Sequence, residues 1–137
     1  MIQFYFLSIL ANILGGLSLA ADHYDEKISG FSRIKQFFEG NPGIRVTVGI
    51  VAFLAGFLKL LSVTKGDVPV VGDLLPSLSG LLIGATMLIE RYKEKTTVES
   101  GAIDVANKVL IKNKSIIGTV GVVVAALHFL LPGVLFL

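Results

Sequence analysis

The chain has 137 residues, 53% of them hydrophobic and only 16% charged, with twelve basic and ten acidic side chains and a net charge of +2. A soluble domain of that length has too little interior to hide so much apolar surface. The composition excludes a soluble enzyme, a secreted disulfide scaffold and a nucleic-acid-binding domain. The absence of cysteine removes thiolate metal sites and cysteine nucleophiles.

Four nearly charge-free segments, residues 2–20, 44–63, 74–89 and 115–137, account for the composition. Of the twenty-two charged side chains only Arg45 and Lys59 fall inside them. Each is about long enough to cross a bilayer as a helix. The pattern predicts an all-α, polytopic membrane protein forming a single membrane domain. The first segment has no basic stretch ahead of it and is expected to be a retained span. The second follows the turn Asn41-Pro42-Gly43, with Arg45 at its mouth, placed to snorkel to the headgroups. The third is short and carries Pro76 near its start. The fourth is the longest, with Pro132-Gly133 as a kink or break.

Charge then orients the spans. The connection between the first two holds Lys27, Arg33 and Lys35, with Arg45 flanking it. That between the last two holds Arg91, Lys93, Lys95, Lys108, Lys112 and Lys114. Only Lys59 and Lys65 belong to the middle connection. The excess of cations places the first and third connections in the cytoplasm and both termini outside. In each cytoplasmic connection apolar residues recur at helical spacing: Phe31, Ile34 and Phe38, then Ile103, Ala106 and Leu110. Each is expected to form an amphipathic helix at the inner membrane surface, facing anionic lipid headgroups; a soluble cap packed on the bundle is the alternative.

The chain also resembles itself. Gly16 matches Gly84 and Tyr24-Asp25-Glu26-Lys27 matches Tyr92-Lys93-Glu94-Lys95, 68 residues on; Thr47-Val48-Gly49 matches Thr119-Val120-Gly121, 72 residues on. The expectation is two copies of a two-span unit, at about 2–63 and 74–137. Both would cross in the same sense, as parallel helix-hairpin repeats rather than inverted ones.

Small residues four apart occur in every span: Ala11 and Gly15, Ala52 and Gly56, Gly80 and Gly84, Gly121 and Ala125. They predict close helix packing, inside one bundle or between chains. Polar groups at membrane depth are the first place to look for function. They are Asn12, Lys59 and His128, with Asp73 and Asp67 bordering the middle connection. The ordinary arrangement has Lys59 snorkelling outward and His128 as a hydrogen-bonded core residue, and this is the expectation. A Lys59–His128–Asp73 cluster, able to relay protons or bind an anion, is the alternative. At the other end Asp22 and Glu26 repeat as Glu90 and Glu94. Four carboxylates brought together would suit Mg²⁺, Mn²⁺ or Ca²⁺, although Lys27, Arg91, Lys93 and Lys95 stand ready to neutralise them.

No phosphate loop, nucleophile elbow or zinc-protease motif is present, so no enzyme and no cofactor is expected. Two roles compete. One is a structural, assembly or accessory subunit, binding other membrane proteins as a homo- or hetero-oligomer. The other is a small oligomeric channel or transporter for an ion or small solute.

Overall fold

A computed structural model describes residues 2–61, 73–131 and 134, and its elements are all helical. They are α1 (Ile2–Tyr24), α2 (Ser29–Gly40), α3 (Pro42–Leu61), α4 (Leu74–Lys95), α5 (Gly101–Ala106), a π-helical turn (Asn107–Ile111) and α6 (Lys114–Leu130). α1, α3 and α4 are long and apolar enough to cross a membrane. A fourth span is added if the bent pair Gly101–Ile111 and Lys114–Leu130, which meet at 55°, is taken as one. The kink expected at Pro132-Gly133, like Asp67 and the rest of the middle connection, lies outside the described residues.

Helix ends differ from the charge boundaries for a simple reason. α1 and α4 run past their apolar segments to Tyr24 and Lys95, because a helix continues through charged residues until its backbone finds a cap or a turn. Pro76 sits in the first turn of α4, where a missing N–H costs no hydrogen bond, so the short third segment starts cleanly at Leu74. α3 begins with Pro42 at its first position, again where proline is pre-shaped for a helix.

The four long helices form a bundle in which α1 and α4 meet along the short diagonal, while α3 and α6 occupy the far corners. Asn12 reaches Pro76 and Ser79, Gly15 abuts Ile83, and Asp22 and Glu90 share Lys114. Contacts that advance together along both chains mean that α1 and α4 run in the same direction. The other neighbours are antiparallel. Tyr5 meets His128 and Gly16 meets Gly118 between α1 and α6. Arg45 meets Glu90 and Gly49 meets Gly84 between α3 and α4.

Close approach explains the small residues. A Cβ on Gly16 would lie 2.6 Å from the Gly118 carbonyl oxygen, and one on Gly84 would lie 2.6 Å from that of Gly49. All eight small positions, Ala11, Gly15, Ala52, Gly56, Gly80, Gly84, Gly121 and Ala125, are buried within this one chain. Within the chain these positions pack helix against helix. The core they enclose is thin: Ala11, Leu19, Ala52, Ile83 and Met87. Large apolar side chains face outward instead, among them Phe6, Leu10, Leu54, Leu82, Val120 and Phe129. An apolar perimeter around a small-residue interior is the distribution a lipid solvent favours.

α2 lies across α1 and α3. Its Phe38 is buried and Phe31 and Ile34 are half-buried, while Arg33 and Gln36 are exposed. Part of its apolar face therefore meets the bundle. α5 and the π-turn pack Ile103, Ala106 and Leu110 inward against α4 and leave Val105 and Val109 exposed. The π-turn is marked by the Lys112 N–H donating to the Asn107 carbonyl at 3.1 Å, and it precedes the bend into α6.

Candidate functional site

Two charged clusters sit at opposite ends of the α1–α4 seam. At the first, α3 contributes Lys59, α6 His128, α4 Asp73 at its N-cap, and α1 Tyr5. The Lys59 ammonium is 2.9 Å from Asp73 Oδ1 and 2.9 Å from His128 Nε2, and that imidazole nitrogen is 3.5 Å from the same carboxylate oxygen. Tyr5 donates its hydroxyl to the His128 carbonyl at 2.7 Å and sets its ring 4.6 Å from the imidazole, with Lys59 Nζ 5.3 Å from the ring centre. Lys59 is 5% exposed and His128 1%.

Lys59 therefore does not snorkel outward alone; it turns into the bundle because a carboxylate and an imidazole await it there. A buried cation left without a counter-ion is costly. Asp73, 2.9 Å away, supplies that counter-ion. Tyr5 was missed in the sequence, where an aromatic residue in an apolar span reads as lipid contact.

One to two turns along the seam, the Asn12 amide donates to the Pro76 carbonyl at 3.0 Å and to Ser79 Oγ at 3.1 Å. Ser79 itself donates to Pro76, and Thr47, Thr86 and Thr119 bond back to their own helices. Asn12 Oδ1, Ser8 Oγ and Ser77 Oγ are buried with no hydrogen-bond partner among the described residues. Beyond them Ile83, fully buried, is held between Gly15 and Gly121 and closes the seam with apolar atoms.

At the second end, Lys114 binds Asp22 and also Glu90, the latter at 2.8 Å, and Arg45 reaches Glu90 at 2.5 Å. The four carboxylates considered as a cation site are not gathered. Asp22 and Glu90 are bridged by Lys114, Glu94 pairs with Arg91 at 3.0 Å, and Glu26 is exposed. No group of three or more His, Asp or Glu fit to hold a metal occurs among the described residues. Arg91 is a neutraliser the sequence suggested. Arg45 and Lys114 are not, because their part depends on how α3 and α6 rotate against α4.

A cavity of about 330 Å³ opens beside this cluster, lined by Asp22, Phe38, Arg45, Met87 and Glu90 among others. Nearby, Lys35 hydrogen-bonds Asp25 at 2.8 Å and ties α2 to the end of α1. That bond holds the Asp25 carboxyl below its usual range and raises the Lys35 ammonium above its own.

A protein-family model, that of an uncharacterised domain, matches residues 1–128. No curated protein and no solved structure matches the chain significantly.

Proposed function

The chain belongs to that uncharacterised-domain family, and we propose that it is a small membrane transport protein. It would pass an ion or small solute along the α1–α4 seam, between a charged lock at each end. The observation that carries this reading is the Lys59–Asp73–His128 cluster at one end of the seam, with Lys59 and His128 buried. Ionisable groups inside a bilayer are costly, and their usual employment is on ion and solute paths.

The proposal includes a duplicated architecture. On the α1–α4 diagonal Tyr5 corresponds to Asp73, Gly16 to Gly84 and Asp22 to Glu90, 68 residues apart. In α3 and α6 the proposed correspondence uses a spacing of 69 instead of 72. Gly49 then corresponds to Gly118, Arg45 to Lys114 and Lys59 to His128. Both charged clusters are thereby built from pseudo-equivalent positions, as a two-fold axis along the seam requires. In this proposal four spans cross the membrane as two parallel repeats, with the Glu90 end cytoplasmic and both termini outside. The π-helical turn carrying Lys108, with Lys112 just after it, would lie near anionic headgroups. Any homo- or hetero-oligomer would form through the lipid-facing perimeter, the small residues being used within the chain. The role is non-enzymatic and uses no cofactor.

A second reading, a structural or accessory subunit, is favoured by the apolar closure at Ile83 and the capping of the Asn12 amide. Light scattering of proteoliposomes under a solute gradient separates the two. Entry of an ammonium or potassium salt, or of a small neutral solute, faster than into empty vesicles supports transport. Rates equal to empty vesicles across the panel, with a stoichiometric membrane partner on native purification, overturn it in favour of the subunit.

A further inference from the structure

We infer that the Lys59–Asp73–His128 lock is worked by a proton, which His128 takes up at Nε2 and which displaces Lys59 from Asp73. This inference rests on the transport reading for its consequence, whereas the protonation event is read independently.

The geometry gives the argument. An ammonium at Lys59 donates one N–H to Asp73 Oδ1 and another to His128 Nε2, each at 2.9 Å. Nε2 then serves as an acceptor, and the ring proton belongs on Nδ1. In that state the cluster carries one cation, one anion and a neutral ring. A proton arriving from the water at that membrane face bonds to the Nε2 lone pair, the atom that Lys59 was using. The imidazolium cannot accept from Lys59, and the cluster now holds two cations against one carboxylate. Asp73 Oδ1 already lies 3.5 Å from Nε2, so a fraction of an ångström brings the imidazolium into hydrogen-bond range. Lys59 is the mobile cation, with a flexible four-carbon stem that can swing toward the membrane surface. Tyr5 also faces His128; its hydroxyl is engaged with the His128 carbonyl and supplies no countercharge.

A second observation says what opening would expose. Ser8 Oγ, Asn12 Oδ1 and Ser77 Oγ are buried below the lock without partners among the described residues. Buried oxygens of that kind gain hydrogen bonds as soon as water or a polar solute enters. Departure of Lys59 would give them that access, while Ile83 still closes the far side.

Two features make the test unambiguous. The chain contains only two histidines and no cysteine, and the second histidine, His23, is exposed. Nitrogen-15 NMR of the whole protein in bilayers, with His128→Gln assigning the resonance, follows His128 between about pH 8 and pH 5, with His23 as internal reference. In parallel, a single thiol at Ser8→Cys is labelled with a charged methanethiosulfonate, normalised to an exposed Val98→Cys. The expected result is protonation of His128 at Nε2, with normalised Ser8→Cys labelling rising about tenfold or more over the same pH interval. The Ser8→Cys/His128→Gln variant, whose amide oxygen still accepts from Lys59 but takes no proton, should label slowly at every pH. An imidazole that does not titrate overturns the inference, as does flat labelling or an equal rise in the His128→Gln background. Solute flux with an unmoved His128 would contradict this inference alone; a titrating His128 that gates labelling, with no flux, would contradict transport alone.

Discussion

Lys59 and His128 touch at 2.9 Å although the helices that carry them, α3 and α6, stand at opposite corners of the bundle. Two long side chains reach over the α1–α4 seam to meet, and Asp73 holds the lysine there. The contact links all four long helices at one end of the molecule, because Tyr5 of α1 hydrogen-bonds His128 as well.

Removing half of that lock should cost more than removing all of it. Lys59→Met strands a partly buried carboxylate and is expected to destabilise the fold by about 3 kcal/mol. The double variant Lys59→Met/Asp73→Asn should recover at least half of the loss. Thermal unfolding in detergent measures both; equal loss in the single and double variants would mean that the charge pair is not the source.

The other end offers an internal comparison. Lys114 holds two carboxylates, with Glu90 16% exposed, whereas Arg91 and Glu94 form a pair one-third and one-half exposed. Lys114→Met is expected to cost about 2–3 kcal/mol and Arg91→Met less than about 1 kcal/mol, since solvent screens the latter pair. Similar melting temperatures for the two variants would be inconsistent with this network.

Glycine substitutions should divide by location. Gly84→Ala places a methyl against the Gly49 carbonyl and should destabilise by about 1–3 kcal/mol. Gly30→Ala meets nothing within 4 Å and lies in helix α2, so it should be neutral or stabilising by up to about 1 kcal/mol. Thermal unfolding of the two variants side by side checks the α3–α4 contact directly.

Acid should loosen α2 selectively. The Asp25 carboxyl is held below its ordinary range by Lys35, so its contribution is present at neutral pH and is lost as pH falls through that lowered value. The raised Lys35 ammonium keeps its side of the bond until pH rises past its own elevated value. Hydrogen exchange within Ser29–Gly40 should therefore accelerate in acid below the ordinary carboxylate range, about pH 3.9, and Asp25→Asn should remove that dependence.

The sequence displayed the apolar spans because bilayer thickness writes itself into segment length and charge. It displayed α2 and α5 because their apolar residues recur at helical spacing, and it singled out Asn12, Lys59 and His128 because polar groups are rare at that depth. Partner choice was hidden. Which cation meets Glu90 depends on the rotation of α3 and α6, and nothing in a charge count favours Arg45 and Lys114 over Lys93 or Lys95. Three residues separate the spacing of 72 from that of 69, nearly one helical turn. Either alignment superimposes the same apolar faces, so the sequence does not choose between them. The amphipathic helices show the reverse case: their pattern was legible, but an apolar face fits a bundle as well as it fits lipid.

Solute flux in proteoliposomes, wild type against Lys59→Met/Asp73→Asn, tests the central claim most directly, since the double variant removes the lock's charges while leaving no stranded ion. Flux above empty vesicles is expected for the wild type, with a several-fold change in the double variant at equal protein content. Identical rates for wild type, double variant and empty vesicles would contradict that claim.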